Sequence, residues 1–196
     1  MDAVKRQGSY ARKTAETDVS VVWVVDGAGE CAADTGIPFL DHMLAQLAKH
    51  GVFDLEVKAR GDLQVDEHHT VEDVAIALGR ALDSALGDRR GLNRMGDALV
   101  PLDEALARVS IDLGGRGFAV VAADLSGGGV GGLGDGMLAH FLRSFAREGR
   151  LTLHADVLRG ENDHHRVEAL FKALARALGQ ACRIDPRRSD VVPSTK

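Results

Sequence analysis

The feature that most narrows what this chain can fold into is a statement made twice. Residues 66–82 read DEHHTVEDVAIALGRAL, and residues 163–178 read DHHRVEALFKALARAL. Each block sets two adjacent histidines ahead of a glutamate and then runs into an apolar helix. Upstream, His42-Met43-Leu44 and His140-Phe141-Leu142 hold the same place in each copy. Self-similarity at about half the chain length implies two copies of one structural unit that bury their apolar faces together.

Spacing assigns the elements. Phe39, Leu40, Met43, Leu44 and Leu47 share one helical face, as do Met137, Leu138, Phe141, Leu142 and Phe145. The helices opened by the histidine pairs repeat this with Val71, Val74, Leu78 and Leu82, and with Val167, Leu170, Leu174 and Leu178. Gly51 and Gly149 stand where helix-ending glycines belong. Strand-like runs at 19–29 and 52–62 in the first copy, and at 107–117, 117–125 and 151–160 in the second, interleave with these helices. The expectation is an α+β fold made of two small split β-α-β halves, residues 1–93 and 94–196, each with helices on one sheet face.

With 196 residues, 45% of them hydrophobic, the chain can bury a substantial core. A formal charge of −5 argues against broad nucleic-acid binding, which calls for a basic face. No apolar run approaches the ~20 residues of a membrane span, and the N-terminus lacks the apolar segment of a signal peptide. Cys31 and Cys182 lie far apart and outside any CxxC, which fits a reduced, cytoplasmic setting.

Adjacent residues on a helix point about 100° apart, so neighbouring imidazoles do not readily chelate one ion together. They suit two ions, each ring turned toward a different one. Residues three or four apart share a face, which makes Glu72 a partner for His68 or His69, and Glu168 for His164 or His165. Six of the eight histidines (His42, His68, His69, His140, His164, His165) match between the copies. With Glu72 and Glu168 they give eight ligands, four for each of two ions. Imidazole and carboxylate without thiolate suit Mn, Fe, Co, Ni or Zn, and four ligands on a six-coordinate Mn²⁺ leave room for a substrate. Asp66, Glu67, Glu161 and Asp163 are close enough in sequence to brace the ligating rings.

Where the copies differ, chemistry is expected. Lys172 replaces Ile76 one turn beyond the glutamate, in an otherwise apolar helix. Residues 127–132 formally satisfy GxGxxG, but the helix stripe starts only near Met137, so a glycine loop is expected rather than a dinucleotide site. Arg94 and Arg116 at turns, with Ser194 and Lys196 in the terminal PSTK, offer the guanidinium, hydroxyl and ammonium groups that a phosphate monoester requires. From the residues alone, a di-metal phosphohydrolase and a non-catalytic metal-binding shell protein stay open beside a lyase.

GIPFLDHMLAQLAKHG, DEHHTVEDVAIALG, RMGDALVPLDEALARVSIDLGGRG, DHHRVEALFKALARAL and PSTK together resemble the imidazoleglycerol-phosphate dehydratases of histidine biosynthesis, over nearly the whole chain and without a fused phosphatase. The resemblance implies tandem ferredoxin-like halves, two Mn²⁺ per active site, and sites shared between subunits of trimers within a 24-subunit shell. It implies metal ligation by the eight residues above, and phosphate binding by Arg94, Arg116, Ser194 and Lys196 with Gln46 and His50 nearby. It also ties Glu16 and Lys172 to substrate and proton transfer, and makes Glu16, Glu72 and Glu168 candidates for the base. The chemistry implied is loss of water from imidazole glycerol phosphate to give imidazole acetol phosphate. It would run through a metal-held imidazolate and a diazafulvene-like intermediate. Family members usually run a few residues past the position of Lys196.

Overall fold

The computed structural model describes residues 5–134 and 136–193. Its first set of elements is β1 (Gln7–Lys13), β2 (Thr17–Val24), β3 (Cys31–Asp34), α1 (Pro38–Gly51), β4 (Asp54–Gly61) and α2 (His68–Leu86). The second set repeats that order as β5 (Met95–Leu102), β6 (Ala105–Asp112), β7 (Phe118–Ala122), α3 (Met137–Glu148), β8 (Thr152–Arg159) and α4 (Asp163–Ala181). The sheets run β1-β2-β4-β3 and β5-β6-β8-β7. In each, the last two strands are parallel neighbours joined through a helix, and the other pairs are antiparallel. The expected α+β duplication, with a four-stranded sheet and helices on one face of each, is what the chain adopts.

The helices cross between the two sets. Helix α1 packs on α4, and α2 packs on α3, so each short helix of one set lies against the long helix of the other. The predicted faces meet there: of the residues named for the four stripes, all but Met137 are buried, and one continuous core joins the sets. Alternation on the strands sends Val19, Val21 and Trp23 inward, and likewise Ala107, Val109 and Ile111.

Glycines mark where backbones touch. A Cβ on Gly8 of β1 would lie 2.1 Å from the Ala81 carbonyl oxygen of α2, and one on Gly96 of β5 would lie 2.1 Å from that of Ala177 in α4. The long helices therefore sit on their sheets at a distance only glycine permits. Gly51 and Gly149 act in the same way rather than as left-handed helix ends. The left-handed residues are the next ones, Val52 (φ 59°) and Arg150 (φ 51°). A Cβ on Gly51 would fall 2.3 Å from the Phe53 ring, and one on Gly79 would fall 2.7 Å from the Gly149 nitrogen across the α2–α3 crossing.

Both cysteines are free, and burial pushes their thiols up, to about 11 for Cys31 and about 12 for Cys182. Among the described residues, no helix is long and apolar enough to cross a membrane. Replacing Gly96 with alanine is predicted to destabilise the fold by ~1–3 kcal/mol, because the Ala177 carbonyl cannot retreat from its own helix. The check is a lower urea midpoint; an unchanged midpoint would contradict this packing.

Candidate metal centre

The crossed helices decide which side chains meet. Helix α1 delivers His42 to the first turn of α4, where it joins His164 and Glu168. Helix α3 delivers His140 to the first turn of α2, where it joins His68 and Glu72. Within each trio the candidate ligand atoms lie within 4.8 Å of one another. His42 Nε2 and His164 Nε2 stand 3.2 and 3.1 Å from Glu168 Oε2. His140 Nε2 stands 3.6 Å from Glu72 Oε1, and His68 Nε2 stands 3.9 Å from Glu72 Oε2. Each glutamate thus serves the first histidine of its pair at i,i+4, an assignment that helical spacing left open.

The start of each long helix is pinned in the same way. Asp66 Oδ1 accepts the His68 backbone N–H at 2.9 Å, and Asn162 Oδ1 accepts that of His164 at 2.9 Å. These caps fix the direction in which the imidazoles leave the helix. The ring planes within each pair are inclined at 77° for His68 and His69 and at 88° for His164 and His165. His69 and His165 stand outside the trios of their own chain, each with its Nδ1 against a carboxylate instead.

Carboxylates brace the outward rings, but not those nearest in sequence. His69 Nδ1 lies 3.1 Å from Asp62 Oδ2 at the end of β4, and His165 Nδ1 lies 2.8 Å from Glu104 Oε2 in the β5–β6 turn. Glu16, in the β1–β2 turn, comes within 3.7 Å of His69. Strand register makes Glu16 and Glu104 counterparts, since Gly8 pairs with Trp23 as Gly96 pairs with Ile111. Of the four acidic residues expected to brace the rings, Asp66 caps α2 and Glu161 lends only its backbone N–H to Glu104. Glu67 and Asp163 instead tie down the glycine loop: Glu67 accepts the Gly134 N–H, and Asp163 accepts Ser126. That loop runs from one histidine pair to the other, and helix α3 starts only at Met137, as expected of a connector.

The residues present fit a divalent transition metal. The donors are imidazole and carboxylate, and His140 Nε2 is buried without a hydrogen-bond partner among the described residues. Burial pushes the Glu168 carboxyl up, yet Lys172, His42 and His164 together hold it at about 2, so it is an anion at neutral pH.

The residues expected to bind phosphate fall into two places. Gln46 and His50 continue down α1 from His42 and bond one another at 3.2 Å. Burial and the nearby Lys172, Lys49 and Arg176 charges lower the His50 pKa. Lys172 Nζ lies 2.7 Å from Glu168 Oε1. Arg94 is elsewhere: its backbone N–H donates to the Ala181 carbonyl at the far end of α4, and its guanidinium grips Asp112 at 2.6 Å and the Pro193 carbonyl at 2.8 Å. The exposed Arg116 acts on the same Asp112 carboxylate. Ser194 and Lys196 lie outside the described residues. A cleft of about 800 Å³ opens beyond His50 between Arg6, Arg176 and Arg183, away from the ligand trios.

Donating a hydrogen bond to Glu104 raises the His165 pKa, and donating one to Asp62 raises the His69 pKa. With folded values above the unfolded one, each pair adds stability that is complete below about pH 6.5 and is lost as pH rises through the raised value. Glu104, held at about 2, loses its share only as pH falls through that value. In chelator-treated protein carrying ¹³C-histidine, Glu104→Gln should lower the NMR titration midpoint of His165 and leave His69 in place. An unmoved His165 would contradict the pairing.

Three comparisons bear on the site. Residues 35–178 match the family model described as imidazoleglycerol-phosphate dehydratase. The imidazoleglycerol-phosphate dehydratase of a Roseiflexus species is 56% identical over 100% of this chain and 98% of its own length. That of Chloroflexus aurantiacus is 53% identical over 97% and 93%. Among solved structures, the Staphylococcus aureus enzyme superposes with a TM-score of 0.79 at 35% identity, covering 90% of this chain and 99% of that one. The Pyrococcus furiosus enzyme superposes at 0.81 with 35% identity, covering 95% and 98%. A duplicated fold with mirrored histidine–glutamate trios, matched in sequence and in shape along nearly its whole length, belongs to the imidazoleglycerol-phosphate dehydratase family.

Proposed function

We propose that this chain dehydrates imidazole glycerol phosphate to imidazole acetol phosphate in histidine biosynthesis, using two Mn²⁺ per site. The observation that carries the reading is the pair of trios His42/His164/Glu168 and His68/Glu72/His140, each drawn from both halves of the duplication. With the family shown, dehydration takes precedence over phosphate hydrolysis or metal storage. Two free thiols suit a cytoplasmic enzyme.

The bound ions would supply Lewis acidity, holding the substrate's imidazole ring in its anionic form. The protein's part is to aim and to move protons. His42, His164 and Glu168 would hold one ion and His68, Glu72 and His140 the other, with His69 and His165 as the fourth ligands. Asp62 and Glu104 accept from Nδ1 of those rings, which leaves Nε2 free to ligate. Below the trio on α1 and α4, Lys172, Gln46 and His50 form a polar row one to two turns away, a distance that suits the phosphate end of the substrate. Glu16, exposed beside His69, would take the proton from the side-chain carbon one bond beyond the ring-attached carbon. The ring-attached carbon loses its hydroxyl as the enol forms, and the enol then collapses to the ketone. Glu16 is the base we favour over Glu72 and Glu168, which would be ligands.

Arg94 and Arg116 require a second chain. Helix α4 has 19 residues, so its ends stand roughly 28 Å apart. The substrate spans only on the order of 10 Å. A phosphate held at the C-terminal end of α4 therefore cannot belong to a ring held at the N-terminal end of the same helix. His69 and His165, left outside the trios, make the same demand, and both support sites shared between subunits; that these subunits form trimers within a 24-subunit shell is what the family resemblance implies.

Purified protein stripped with chelator should lose turnover of imidazole glycerol phosphate by more than a hundredfold and recover it with Mn²⁺. Full turnover by metal-free protein would overturn the reading. Light scattering should show a smaller particle after stripping, because shared ions link subunits; an identical mass would contradict the shared ligation.

A further inference from the structure

Resting on the two-ion reading above, we infer that the two ions are held unequally. On this account Lys172 makes the ion at His42/His164/Glu168 the weaker and first to leave.

The duplication supplies the comparison within one chain. Both trios offer two imidazoles and one carboxylate, taken from equivalent helices. Both outward histidines are backed by a carboxylate, Asp62 in one case and Glu104 in the other. The difference lies one turn beyond each glutamate. There the first copy has Ile76, buried at 8% exposure, and the second has Lys172. The Lys172 ammonium sits 2.7 Å from Glu168 Oε1, while Oε2 of the same carboxylate faces His42 and His164. Among the described residues, Glu72 has no ammonium or guanidinium on it, and its oxygens face His68 and His140.

A dication entering the first trio meets a net charge of −1. One entering the second meets a carboxylate whose charge Lys172 already cancels, in a site where Glu168 is the less exposed glutamate, at 13% against 32%. The ion must either share that carboxylate with an ammonium a few ångströms away or displace it and leave the ammonium half-buried without its partner. Both routes weaken binding, since like charges at this range interact strongly once water is partly excluded.

The test is metal content, not activity. Mn²⁺-loaded protein is equilibrated with increasing chelator, desalted and analysed for manganese per chain. The expected curve falls in two steps, with a plateau at one ion and midpoints separated by roughly tenfold or more in free metal. In Lys172→Met the first step should move to at least tenfold stronger chelation and the plateau should shrink or vanish. Methionine is close to lysine in volume, and the sister copy already carries an apolar side chain there, so the variant is expected to fold; circular dichroism checks this. A wild-type curve in which both ions leave in one step overturns the inference, as does a first step unmoved by Lys172→Met. Protein that holds no manganese before chelator is added would instead overturn the two-ion reading itself.

Discussion

The crossed packing of α1 on α4 and of α2 on α3 is the contact on which everything else depends. Neither half of the duplication holds a complete trio. His42 needs the α4 of the other half, and His140 needs the α2 of the other half, so the ligand sets exist only when the helices interdigitate. Gly179 of α4, facing Gly51, and Gly79 of α2, facing Gly149, allow that approach, and Gly8 and Gly96 let the long helices settle on their sheets. Site geometry and core packing are thus one constraint. A side chain added at a crossing would move a ligand as well as strain the core.

The helices were legible in the sequence because their apolar stripes are continuous and each buries a single face. The ligand types were legible because the HHxxE blocks recur. What periodicity did not show were β1, β3 and β5. Gln7–Lys13 is mostly exposed, Cys31–Asp34 is only four residues long, and Met95–Leu102 carries a proline and outward-facing Met95 and Leu99. Half-exposed strands lack the strict alternation that betrays a buried one. The pairing of each short helix with the opposite half was equally hidden, because a helical face does not name its partner.

The braces behind the outward histidines show a second limit. Proximity along the chain pointed to Asp66, Glu67, Glu161 and Asp163. The carboxylates that arrive are Asp62, a strand end away from its histidine, and Glu104, delivered by a turn sixty-one residues before His165. The duplicated register would have found one of them, since Glu104 stands where Glu16 stands in the first copy. Gly51 and Gly149 teach the same lesson from the other side: a glycine at a helix end can be there for close approach, with Val52 and Arg150 taking the left-handed conformation in its place.

Divergence between copies that share a fold is where catalysis can be specialised. Among the described residues, the trio of the first copy has no cation on its carboxylate, whereas that of the second carries Lys172, whose charge also acts on His50. The central claim is that this one chain builds two metal positions, each from both halves of its duplication. Anomalous X-ray diffraction at the manganese edge, from crystals grown with Mn²⁺, tests it most directly. The account predicts two peaks per chain, one among His42, His164 and Glu168 and one among His68, Glu72 and His140. Maps without a peak at either trio would contradict it.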